Sequence, residues 1–224
     1  MHSTRDEVRS RLLGQTRDHW LEFAVIVASV NLVLALQLSS SLISDHFMLK
    51  TNLFIVCILI ASTCAVVLAY YSIQSAVLVV FGPLRITEVL LSFLVAIGQI
   101  SLFVWPSQVL SRNAANARDV PPELRHWLLF YAVFAFSASL AGLAARRRRK
   151  QDGMDGDYPL FEAQQKSDAT AAGIFGCIAL LCWAGSWWNA TLGLGLGLVC
   201  ALIGAVAGIS SQQRTIEGLQ DSVQ

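Results

Sequence analysis

Glu88, Ser92 and Gln99 are spaced four and seven residues apart, so on a helix they share one face. A carboxylate, a hydroxyl and an amide in line are groups that can border a hydrated pathway through a membrane. The same residues also suit a plainer purpose. Ser92 and Gln99 can hydrogen-bond a neighbouring helix while Glu88 pairs with Arg85. Asn31 and Gln37 are a second polar pair in an apolar stretch, although six residues apart they do not share a face.

Two further patterns concern surfaces rather than reactions. Gly193, Gly197, Ala201 and Ala205 place a small residue at every fourth position, and Gly204 with Gly208 repeats the spacing on an adjoining face. Such a ridge lets another helix backbone come close, from the same chain or from a second copy. Arg146, Arg147, Arg148, Arg149 and Lys150 form a cationic block. It fixes topology, and it suits anionic lipid headgroups, each charge being worth about 1 kcal/mol near such a surface.

Reactive chemistry has little to stand on. The five cysteines, Cys57, Cys64, Cys177, Cys182 and Cys200, lie in apolar stretches and read as packing residues, and the four histidines have no metal-ligand spacing. The chain contains no Walker loop, dinucleotide fingerprint, His-Glu-x-x-His or Gly-x-Ser-x-Gly. The expectation is a non-enzymatic protein without metal or cofactor. Asp152, Asp155, Asp157 and Glu162 lack calcium-loop register and read as a solvated loop.

The elements that must carry these residues are membrane helices. With 55% hydrophobic and 14% charged residues, the chain falls well below the charge content of a soluble domain. A net charge of +1 also argues against nucleic acid as a partner. Uncharged runs predict an all-α, polytopic transmembrane bundle of about six spans, at 21–43, 53–73, 86–105, 127–145, 169–188 and 191–210. Pro106 is expected to end the third span, Arg146 to stop the fourth, and 151–170 to form a polar loop. The last two spans form a tight hairpin in which Asn189 caps the final helix. A five-span version would merge or drop one span.

The uncharged stretch 53–81 would reach about 43 Å as a straight helix against a hydrocarbon core of about 30 Å, so it tilts, breaks or runs into the interface. Residues 1–20 read as an amphipathic N-terminal segment with Val8, Leu12, Leu13 and Trp20 along one edge. Residues 21–211 form the membrane domain and 212–224 a polar tail. Six spans with both termini cytoplasmic put twelve of the sixteen Lys and Arg residues inside.

These readings lead to an integral membrane protein, expected in a bacterial inner membrane. It is expected to act as an oligomeric scaffold, sensor or complex subunit through helix packing and its basic cytoplasmic surface, with membrane lipids as partners. The alternative is a channel or uniporter with a polar pathway along the third span.

Overall fold

The computed structural model describes residues 2–44, 49–79, 86–113, 120–151 and 159–221, and all of its regular structure is helical. The helices are α1 (His2–Ser44), α2 (Leu49–Val79), α3 (Ile86–Asn113), the short α4 (Val120–Leu124), α5 (His126–Gln151), α6 (Pro159–Gly185) and α7 (Ala190–Asp221). Six are long and apolar enough to cross a membrane, over Asp18–Ser40, Asn52–Tyr70, Val89–Arg112, Pro122–Arg148, Glu162–Gly185 and Ala190–Arg214. The protein is a polytopic helical membrane bundle. α2 is one unbroken helix from Leu49 to Val79, which covers the stretch 53–81 as far as residue 79.

The spanning helices close into a ring in the order α1–α2–α7–α6–α5–α3, each packed on two neighbours. α2 also meets α3, and α5 meets α7, so the ring has no hollow centre. Ile55, Ile58, Leu102, Phe103, Trp127, Leu128, Leu194 and Leu198 fill it and are almost fully buried. The outward faces are apolar too, with Ile26, Leu32, Leu36, Ile97, Leu181 and Ile203 exposed to the surroundings that lipid occupies. Hydrocarbon on both sides removes the usual hydrophobic drive between helices. Close packing and internal hydrogen bonds must hold the ring instead.

Several boundaries differ from those expected. α3 does not stop at Pro106 but carries it in its interior and runs on to Asn113. A proline has no N–H to give the carbonyl four residues back, which here is that of Leu102. Ser62 of α2 donates its hydroxyl to that carbonyl at 3.5 Å, and Trp127 Nε1 of α5 donates to Ser62 Oγ at 3.1 Å. Ser62 and Trp127 are completely buried. A relay from α5 through α2 thus serves the backbone group that the proline orphans, and the helix continues.

The other differences concern the ends of α5 and α6. α5 does not stop at Arg146 but runs through the cationic block to Gln151, since arginine and lysine are strong helix formers and cations suit a helix C-terminus. α6 begins at Pro159, so most of the expected loop 151–170 is helix, leaving Asp152, Asp155 and Asp157 outside the described residues. Proline fits there because the first helical N–H has no partner within its own helix. The span containing α6 consequently includes Asp168, which the expected bounds 169–188 leave just outside.

The hairpin is tight as expected, although α6 ends at Gly185 and residues 186–189 make the turn instead of two residues. Asn189 accepts the Leu192 N–H on its side-chain oxygen at 3.0 Å, and its backbone carbonyl accepts the Gly193 N–H at 2.9 Å. At the other end of the chain, α1 runs without interruption from His2 into the first span, while the side chains of Val8, Leu12 and Leu13 lie outside the described residues.

The relay around Pro106 makes a coupled prediction. Ser62→Ala leaves a buried indole N–H and a buried carbonyl without partners and should cost about 1–3 kcal/mol of stability. In a Pro106→Ala background the helix supplies its own N–H to Leu102. There the same substitution should cost distinctly less, as a double-mutant cycle of unfolding in detergent micelles would read.

Candidate functional site

The polar face of α3 meets α1, and the two helices run parallel. Phe23 packs edge-on against Phe93 with ring centroids 5.2 Å apart, and further along Asn31 Nδ2 donates to Gln99 Oε1 at 3.4 Å. Both amides are buried, Asn31 at 1% and Gln99 at 3% exposure, near the middle of their spans. Asn31 Oδ1 has no hydrogen-bond partner. A buried amide oxygen without a donor is costly in hydrocarbon.

A groove begins at Gln99 and follows α3 toward the end of the bundle that carries both termini. Phe23, Ala24 and Val27 of α1, Val66 and Tyr70 of α2, and Ser92 of α3 line it. Its enclosed space is about 10 Å³, room for roughly one water molecule. Ser92 and Gln99 therefore share one recess. Glu88 is a helical residue of α3 whose side chain lies outside the described residues, as does Arg85, the partner expected for it. Gln37 is exposed on α1, on a different face from the buried Asn31.

The small residues of α7 are spent on neighbours within the chain. A Cβ added to Gly193 would come within 2.6 Å of the Ser186 Cα and 2.7 Å of the Cys182 carbonyl, contacts with backbone that cannot yield. At Gly197 the nearest atom is Leu128 Cδ2 at 2.4 Å, at Gly204 the Phe175 ring at 2.9 Å, and at Gly208 Leu68 Cδ1 at 2.9 Å. Ala201 and Ala205 are buried alongside. The ridge thus brings α7 against α6, α5 and α2. Leu192, Leu196, Val199, Ile203 and Val206 form its outward face.

The cationic block divides along the last turns of α5. Arg146, Arg147 and Lys150 are exposed, Arg148 is 5% exposed, and the side chain of Arg149 lies outside the described residues. A helix through the block cannot face all five charges to one side. Arg148 turns inward.

The structure adds two polar groupings that the sequence did not single out. At the termini end, Asp168 accepts from the amides of Gln164 at 2.6 Å and Gln212 at 2.5 Å. Gln164 also hydrogen-bonds Ser211, and Gln212 donates to Ser72 at 3.4 Å. Gln164 and Asp168 stand four apart, a spacing visible once α6 is started at Pro159. At the opposite end His126 lies between Trp105 and Trp183, with ring centroids 5.6 and 6.4 Å away. There Arg125 stands 3.7 Å over the Trp187 ring. Tryptophans at the ends of spans suit a membrane interface, and here they cluster around one histidine.

Among the described residues no three His, Cys, Asp or Glu side chains converge on a metal position. All five cysteines are free, with Cys177 exposed.

Removing one amide of the central pair should hurt more than removing both. Asn31→Leu or Gln99→Leu alone should cost up to about 1–2 kcal/mol by stranding the other group, and the double variant should recover part of that loss. Unfolding of the four proteins in one detergent reads the difference. Comparison of the chain with protein-family models, with curated proteins and with solved structures finds no match, so functional readings rest on the arrangement itself.

Proposed function

We propose that this protein is a non-enzymatic component of a bacterial inner membrane, a scaffold, sensor or complex subunit that assembles as an oligomer and works through its surfaces. Its termini face the cytoplasm, where Arg146, Arg147 and Lys150 hold anionic lipid headgroups. The observation that carries this reading is the filled interior. Trp127, Leu102, Ile58 and Leu128 occupy the axis of the ring, which leaves the outer faces and the charged helix ends as the places for specific contact. With the glycines of α7 engaged inside the chain, oligomer contacts fall to the outward apolar faces of α7 and α1.

The purified protein should retain anionic lipid over zwitterionic lipid through native mass spectrometry. Replacing Arg146, Arg147 and Lys150 together by glutamine should weaken that retention by roughly tenfold or more at low salt. Equal retention by both proteins would remove the lipid-binding role.

The groove below Gln99 favours a second reading, a channel or uniporter using the α3 face. Tyr70, Ser92 and Gln99 are polar among otherwise apolar lining residues, and a rearrangement between α1 and α3 would have to open and extend the path. Flux through reconstituted liposomes distinguishes the two readings. Ion flux above empty liposomes that falls in Gln99→Leu at matched incorporation supports the pathway, and no flux under an imposed potential supports the surface reading.

A further inference from the structure

We propose that Asp168, Gln164, Gln212, Ser72 and Ser211 form a binding site for a small monovalent cation, sodium above all, where α2, α6 and α7 meet at the termini end of the bundle. The proposal is independent of the surface reading above. It starts from a charge that lacks compensation. Among the described residues, the hydrogen-bond partners of Asp168 are the neutral amides of Gln164 and Gln212. The residue is half-buried and lies inside a candidate span. An asparagine would occupy much the same volume without a charge. An acid at this position needs a counter-charge, and carboxylates in membrane helices commonly mark ion sites.

The surrounding groups can supply one. A terminal amide is nearly symmetric in shape, so half a turn exchanges its NH₂ for its carbonyl oxygen. With both glutamines turned, the cluster presents the Asp168 carboxylate, two amide oxygens and the hydroxyls of Ser72 and Ser211. All are hard oxygen donors, with no nitrogen or sulfur among them, the set that suits alkali and alkaline-earth ions. One carboxylate balances one positive charge, whereas a divalent ion would leave a net charge in a half-buried place. Magnesium further demands a near-ideal octahedron and several of its own waters.

The helices hold these groups in position independently of the ion. Leu68 and Gly208 touch one turn before Ser72 and Gln212, which fixes the parallel register of α2 and α7. On α6 the Ala169 carbonyl accepts the Ser139 hydroxyl at 2.6 Å, and Gly142 gives the Ala169 methyl room, pinning the neighbour of Asp168 to α5. Ser72 is exposed, which opens a route from the aqueous side. An ion held here ties three helices together, so binding must appear as stability.

The test is thermal unfolding of the full chain in detergent at neutral pH, with sodium chloride, potassium chloride or choline chloride at equal ionic strength. The midpoint should rise saturably by several degrees in sodium over choline, and Asp168→Asn should abolish the rise. Ser72→Ala, which removes a single hydroxyl from an exposed residue, should move half-saturation severalfold higher, and it decides the matter if Asp168→Asn does not fold. Coincident sodium and choline curves would overturn the proposal, as would a sodium response that survives Asp168→Asn or is unaltered in Ser72→Ala. A response to pH alone, equal in both salts, would also overturn it in favour of a protonation site.

Discussion

One missing hydrogen shapes the middle of this protein. Pro106 cannot serve the Leu102 carbonyl, and within a membrane there is no water to serve it instead. The Ser62 hydroxyl and the Trp127 indole take over, and in doing so they join α3, α2 and α5 at the centre of the ring. Trp127 stacks on Tyr131 with centroids 5.2 Å apart, so the same side chain that completes the relay also fills the axis. A backbone defect in one helix has become the junction of three.

Around that junction the remaining contacts follow the logic of helices in lipid. Surfaces that are apolar on both sides gain little by meeting, so specificity comes from how closely backbones approach and which polar groups find one another. α7 approaches through Gly193, Gly197, Gly204 and Gly208, each facing a different neighbour or level. α1 is tied to α3 by Phe23 with Phe93 and by Asn31 with Gln99. The aromatic cluster around His126 and the amide cluster around Asp168 close the two ends of the bundle with quite different chemistry.

The six spans, the short hairpin and the Asn189 cap were legible in the sequence because each rests on local information: apolar length, a two-residue gap and a capping side chain. Pro106 was misread because a proline ends a helix only when nothing else serves the carbonyl it orphans. Ser62, which serves it, lies on another helix. The start of α6 was missed because polar residues from Pro159 to Asp168 resemble a loop when hydropathy is the guide, although Gln164 and Asp168 among them meet partners on α7. Ser92 and Gln99 were correctly placed on one face, but that Gln99 meets Asn31 depends on the parallel register of α1 and α3, which no spacing within either helix contains. Likewise, periodicity marked the ridge on α7 without saying which helix it would accept.

The order of helices around the ring differs from their order along the chain, because α7 lies between α2 and α6. As the chain is made, α1, α2 and α3 can gather early, and α5 and α6 can follow onto α3. The side of α2 bearing Leu68 and Ser72 must nevertheless wait in lipid until α7 leaves the ribosome. Closure of the ring therefore depends on α7. Until then the cell holds an open, five-spanned intermediate with one unsealed seam, which is the form that insertion factors and membrane proteases would encounter.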